Sequence, residues 1–401
     1  VVGTPVGEVS RVLALVEEFR DDLVALRRDL HAHPELARTE ERTTRTVAER
    51  FVAAGLTPRG LIGPGLVVDV GDAPAGARRV ALRADLDGLP VPDACGLPFA
   101  SQTRGVSHAC GHDVHTAALV GAGLVLARLH AEGALPGGVR LLFQPAEEVQ
   151  PGGSLDLMEA GVLDGVSRVL ALHCEPRLDV GQVGTRIGAI TSASDEIHIT
   201  VTGPGGHTSR PYLTGDVVFA LGEIITQVPS ILGRRIDPRW GVNLTWGAVR
   251  AGQAVNAIPA SGTLGGTLRC LDVRAWEQLG TELNRAVAAV VEPLGVQVEI
   301  RIVKGVPPVV NDATCTSLLE RAAGEILGPD AVTLTEQSLG GEDFAWYLTK
   351  VPGAMARLGT RTPGGRTYDL HQGELVVDER AIGHGAALLA RAAMLALCEP
   401  V

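Results

Sequence analysis

The sequence predicts an α/β protein built on a mainly parallel sheet and interrupted by a smaller βαββαβ unit. Three observations carry that expectation. Short apolar runs ending in polar residues, such as 80–82 before Arg83 and Asp87 and 139–143 before Glu147 and Glu148, alternate with segments of helical period. Strands separated by helices imply parallel pairing with both sheet faces covered. Between about 187 and 303 the order becomes strand, helix, two strands, helix, strand, the ferredoxin-like pattern of a four-stranded sheet with two helices on one face. The length of 401 residues exceeds one ordinary core. The expected division is 1–187 plus 304–401 for a discontinuous larger domain and 188–303 for the insertion.

Each element follows from its own pattern. Over 8–31, Val12, Leu15, Val16, Phe19, Leu23, Leu26 and Leu30 recur at three- and four-residue steps, and Pro34 closes the helix. His31 and His33 at its end are expected to be cations favoured by the helix dipole. A second helix over 40–54 stops before Gly55, a third covers 116–129, and an apolar strand at 169–172 leads into His173. The insertion reads as a strand at 196–201, a glycine-rich turn at 203–206, a helix at 214–228, and strands at 242–249 and 262–271. A helix capped by Asp272 and a strand at 296–302 complete it. A helix at 313–327, a loop at 340–343, a strand at 354–358 and a long helix at 379–397 return the chain to the larger domain; Ile382, Leu388, Leu389, Ala392 and Leu395 suit that last helix to packing on the sheet.

Composition narrows the function. Apolar residues at 45% and charged residues at 20% suit a folded core, and a formal charge of -11 without a basic stripe argues against a nucleic-acid groove. No window of about eighteen apolar residues is expected to cross a membrane, and no signal pattern opens the chain. A soluble, cytoplasmic protein is expected. Cys95, Cys110, Cys174, Cys270, Cys315 and Cys398 form no paired framework, which fits a reducing compartment.

The chemistry concentrates in 107–115, where Cys110 and His112 flank Gly111 and lie close to His108, Asp113 and His115. Thiolate and imidazole are ligands that zinc prefers. Polar ends of the predicted strands add Glu148, His173 and His371, so Cys110, His112, Glu148, His173 and His371 form the candidate ligand set. Five such donors suit two divalent ions better than one, and either Cys110 or Glu148 would bridge the ions or sit between them. Neighbours on a turning chain point in different directions, so Glu148 can bind metal while Glu147 stays free as a general base. Asp87 could fix the tautomer of a ligand imidazole.

Taken together, Arg27 to Glu35, Ala81 to Pro90, Cys110-Gly111-His112-Asp113, Phe143 to Glu148, Gly205-Gly206-His207, Gly340 to Phe344 and His371 give the chain a family resemblance over nearly its whole length. It resembles the metal-dependent amidohydrolases that include aminoacylases, hippurate hydrolases and auxin-conjugate hydrolases, relatives of the co-catalytic zinc exopeptidases. The resemblance implies a metallopeptidase-like catalytic domain and a lid domain that also makes a homodimer. It implies two divalent ions per subunit, zinc or manganese with cobalt and nickel open, held by the five residues above, with Glu147 as base. It further implies that His207, Asn256 and Arg269 meet the carboxylate or the developing oxyanion of a small N-acyl amino acid, with no nucleic acid or membrane as partner.

The chain departs from the family's usual pattern at Thr208-Ser209-Arg210-Pro211 and at 149–154, which leaves the acyl-group preference open. Two other readings compete. Cys110 could be a nucleophile with His112 or His207 as its base, or the chain could be a non-catalytic binding protein that kept the fold.

Overall fold

A computed structural model describes residues 5–73 and 79–399 and separates them into two compact units. The first contains Val1–Gly188, Val310–Glu336 and Trp346–Val401; the second contains Ala189–Val309 and Gln337–Ala345.

Helices α1 (Pro5–Ala32) and α2 (Glu41–Ala53) open the first unit. The α1 stripe of Val12, Leu15, Leu23, Leu26 and Leu30 is buried, as are Val47 and Phe51 of α2. Strands β1 (Leu66–Val70) and β2 (Arg79–Asp85) lead to α3 (His112–Ala131), β3 (Val139–Gln144), β4 (Val166–Asp179) and β5 (Val183–Thr185). Every residue of β3 is buried, as expected of a strand covered on both faces.

The second unit interrupts the chain here. Strand β6 (Ala193–Thr202) alternates buried and more open positions, so one face packs on helices α4 (Val217–Arg235) and α5 (Val273–Val291). Strands β7 (Asn243–Ala251), β8 (Ser261–Cys270) and β9 (Gln297–Val306) complete an antiparallel sheet in the order β7-β8-β6-β9. Asp272 caps α5 by accepting from the Arg274 and Ala275 amides. Helix α4 runs past the expected stop at 228, through Pro229, because its buried stripe of Ile224 and Val228 continues to Leu232. Burial there outweighs the roughly 3 kcal/mol cost of an interior proline. Residues 337–345 also join this unit, with the Ser338 amide donating to the Ile190 carbonyl at 2.9 Å.

The first unit resumes with α6 (Ala313–Leu327), β10 (Val332–Leu334), β11 (Gly353–Arg361) and α7 (Arg380–Cys398). Its sheet runs from the edge pair 59–60 through β1-β3-β2-β4-β11-β5-β10. Pairing is parallel in the centre, from β3 to β11, and antiparallel where β1 meets β3 and where β5 meets β11. The sheet is mixed, with parallel pairing in the centre and between β5 and β10 and antiparallel pairing toward β1 and at β5–β11. Only a short turn separates β4 from β5, and a short turn can only reverse a strand, whereas a parallel return needs a long crossover.

The expectation that no segment is long and apolar enough to cross a membrane needs correcting. By length and composition His112–Ala131, Val217–Arg235 and Arg380–Cys398 all qualify. In α3 and α7 the apolar surface lies within the protein, with 72% and 78% of the relevant windows buried. A helix apolar all round suits a position between a sheet and other helices, which is where both lie.

Candidate metal centre

Helix α3 begins at His112, four residues before the sequence pattern suggested, so His112, Asp113 and His115 all project from its first turns. Gly111 makes that start possible. Its φ is +84°, a conformation side chains disfavour, and a Cβ there would lie 2.8 Å from the Cys174 sulfur. The tight turn sets Cys110 and His112 on one side of the central strands.

Cys110, His112, Glu148, His173 and His371 come together in the first unit. One group joins Cys110, His112 and His173; another joins Cys110, Glu148 and His371; within each, the donor atoms lie within 4.8 Å of one another. Cys110 belongs to both. Cys110 Sγ is 3.6 Å from His173 Nε2, Glu148 Oε1 is 3.7 Å from His112 Nε2, and His371 Nε2 is 3.4 Å from the same Glu148 oxygen. Ligands around a tetrahedral zinc, at bond lengths of about 2.0–2.3 Å, stand roughly 3.3–3.8 Å apart. The spacings fit ligands around a cation.

Hydrogen bonds aim these donors. His173 donates from Nδ1 to the Cys174 carbonyl at 2.8 Å, which leaves the Nε2 lone pair facing Cys110. Asp87 Oδ2 accepts from the Glu148 amide at 2.9 Å, and its other oxygen stands 3.3 Å from His112 Nδ1. The His371 amide donates to the Ala109 carbonyl at 2.8 Å, tying its loop to the Cys110 turn, and His371 itself adopts a φ of +63°. Ala146, at +56°, turns the chain just before Glu147, and its amide is held by Glu40 Oε1 at 2.7 Å. Glu147 is half-buried and shares a third potential ligand group with His112 and Glu148.

Buried polar atoms test whether a metal fits. His112 Nε2 and Glu148 Oε1 make no hydrogen bond among the described residues. Leaving such a group unsatisfied costs about 1–3 kcal/mol. Burial works against a charge on His112, but the Asp85 carboxylate, with the Cys110 and Asp87 contacts, raises it well above the usual imidazole range. Contacts with Cys110 and Glu148 push His371 up to about 10. Asp85, Asp87 and Glu148 surround these imidazoles with carboxylates, a setting that suits a divalent cation. Burial raises the Cys110 thiol.

Residues beyond the expected set complete the site. His115 accepts the Cys174 amide at Nε2, 2.7 Å away, and so donates from Nδ1 to Asp85 at 2.6 Å. Asp85 is also paired with Arg83 at 2.7 Å; burial opposes its charge, yet His112, His115 and Arg83 hold it well below the usual carboxylate range. The signal for Asp85 was present in its spacing of two from Asp87 at the end of a strand, which turns both carboxylates to one side. His173 lies within β4 rather than beyond it, because β4 runs on to Asp179. His31 lies in the last turn of α1 as expected, but it is buried and bonded to Asp113 at 2.8 Å, a partner the helix pattern did not reveal.

The residues expected in the second unit have a different setting. His207 and Ala257 are register partners in a two-residue antiparallel ladder, and the Thr208 amide donates to the Asn256 carbonyl at 3.2 Å. His207 and Asn256 are exposed, while half-buried Arg269 on β8 donates to the Leu339 carbonyl.

Comparison with known proteins places this geometry in context. The profile described as peptidase family M20/M25/M40 matches residues 81–395. A Rhodococcus jostii protein named as glutamate–cysteine ligase 2-3 is 50% identical over 92% of this chain. The match covers 46% of that relative, so the chain spans about half its length. N-acetylcysteine deacetylase of Bacillus subtilis is 34% identical over 94% of this chain and 98% of its own. The solved Bacillus subtilis YXEP protein, described as a dinuclear metal-binding peptidase of the M20 family, is 31% identical, with a TM-score of 0.83 over 95% of this chain and 99% of its own.

Proposed function

The chain belongs to peptidase family M20/M25/M40, a family of hydrolases, and on that premise we propose that it is a two-metal amidohydrolase splitting N-acyl amino acids into a carboxylic acid and an amino acid. The observation that carries this reading is the pair of ligand groups sharing Cys110, one completed by His112 and His173 and the other by Glu148 and His371. The deacetylase relative supports an N-acyl amino acid as substrate class.

Two divalent ions, when bound, supply Lewis-acid polarisation of the amide carbonyl and lower the pKa of water. The five ligand side chains would hold them, and zinc, manganese, cobalt and nickel all suit such donors. Glu147 is the base: its carboxylate takes a proton from the attacking water and returns it to the departing amine nitrogen. Asp87 positions His112 and the Glu148 backbone, while Asp85 and His115 hold the Cys174 amide beside His173. Arg269 offers the planar fork that suits a substrate carboxylate, with Asn256 as a further polar contact, and His207 would steady the oxyanion by donating a hydrogen bond. The second unit would serve as lid and homodimer surface, supported by its exposed Tyr212, Phe219 and Val255.

A nucleophilic Cys110 has less support, since a reactive thiol needs a depressed pKa and burial drives this one upward. The deciding experiment is hydrolysis of an N-acyl amino acid panel, including N-acetylcysteine and hippurate, before and after chelation. Loss of turnover that added metal restores is expected. Turnover that survives complete metal removal overturns the reading.

A further inference from the structure

A second cluster of metal-type donors lies in the first unit and shares no side chain with the ligand set above. His31 closes α1, and the loop after β2 brings Asp93 and Cys95 against it, so that a nitrogen, an oxygen and a sulfur all lie within 4.8 Å of one another. His31 Nε2 is 3.2 Å from Asp93 Oδ2 and 3.9 Å from Cys95 Sγ. Around a tetrahedral zinc the corresponding nitrogen–oxygen and nitrogen–sulfur separations are roughly 3.4 and 3.6 Å. Small side-chain movements suffice to close the site.

We propose that His31 Nε2, Asp93 Oδ2 and Cys95 Sγ form a third, separate site for a thiophilic divalent cation of the zinc class. The supporting hydrogen bonds have the form such a site requires. His31 Nδ1 donates to Asp113 at 2.8 Å, and Arg27 holds Asp113 at 2.7 Å. A histidine anchored through one nitrogen by a carboxylate presents the other as an oriented ligand. Asp93 is fixed by the Cys95 amide at 2.8 Å and the Ser101 amide at 2.7 Å. The His31 and Asp93 side chains are only 4% and 5% exposed, while Cys95 is half-buried, which leaves an approach from solvent on the sulfur side.

The same three residues with Asp113 could be taken for a nucleophilic Cys-His-Asp arrangement. Burial and the contact with Asp93 push the Cys95 thiol up to about 11, the wrong direction for a nucleophile. A cation binds such a thiol by displacing its proton. The consequence reaches the first site through the backbone. The Ala94 amide donates to the Gly373 carbonyl at 2.8 Å, and a Cβ on Gly373 would fall 2.0 Å from the Pro92 carbonyl oxygen. A cation at Cys95 therefore stiffens the loop packed against the segment that carries His371.

Cobalt titration of the full, metal-stripped chain tests the proposal. Cys95→Ser is expected to bind one equivalent less than the wild type and to lose about half of the thiolate-to-cobalt absorption, the rest arising at Cys110. Asp93→Asn is expected to weaken the same equivalent about tenfold or more. Unchanged stoichiometry and absorption in both variants would mean that His31 serves only to pair with Asp93 and Asp113, and would overturn the site. That failure leaves the two-metal reading intact. The opposite failure, a wild-type chain whose only bound cobalt vanishes in Cys95→Ser, removes the two-metal reading and keeps this one.

Discussion

The centre at Cys110 and the exposed ladder at His207 assemble functional side chains in opposite ways. In the first, five ligand residues from four separated segments converge, with Cys110, His112 and His173 buried, Glu148 half-buried and His371 at the exposed rim, and several buried polar atoms there lack hydrogen bonds among the described residues. In the second, His207 and Asn256 are exposed and joined to each other through backbone pairing. The difference teaches what each can do without help. Buried unsatisfied donors are costly and call for a cation inside the fold, whereas exposed side chains cost little and acquire a role only when a ligand meets them.

The largest expected effect attacks the buried side. Glu147→Gln should lower turnover by about 10²–10⁴-fold while bound metal, read by elemental analysis, stays at the wild-type level. A near-normal rate removes Glu147 from the chemistry. Next comes Glu40, whose carboxyl is raised by burial from 4.5 to about 7. Between those values the unfolded chain has lost this proton and the folded chain keeps it, so stability falls as pH rises through the window, by about 3 kcal/mol at most. Glu40→Gln should flatten that slope in denaturant titrations at pH 5 and pH 8; an unaltered slope means that Glu40 is not the buried acid responsible.

The exposed side gives the third effect. His207→Ala should cut kcat by about a hundredfold without releasing metal. Metal loss in that variant would erase the contrast between the two regions. Asp87→Asn should weaken metal binding by about 10–100-fold, measured by chelator competition. If affinity is unchanged, Asp87 does not orient His112.

Much of this was legible along the chain because ligand chemistry is local. Cys110, His112 and the Glu147-Glu148 pair announce themselves by residue type; His173 and His371 were expected at strand ends, and the structure places His173 within β4 and His371 in a turn beyond β11. The helices were legible for a similar reason, since a buried stripe repeats within a few turns. His31 shows where that reasoning stops. At the end of a periodic helix it reads as a residue placed by the helix dipole, yet the fold buries it against Asp113, which lies on a helix far along the chain. For Asp85 and His115 residue type and spacing gave a signal, but their roles are set by each other and by the Cys174 amide on another strand.

The order of residues by itself determined the kind of chemistry on offer, since thiol, imidazole and carboxylate carry their affinities wherever they stand. Tertiary structure alone decided which imidazoles face a common cation and which brace the frame. His112 and His115 are three residues apart on one helix, but His112 keeps Nε2 without a hydrogen bond among the described residues while His115 uses both nitrogens in holding Asp85 and Cys174. The reason is physical: a ring nitrogen's role depends on the partner opposite it, and that partner arrives from a distant part of the chain.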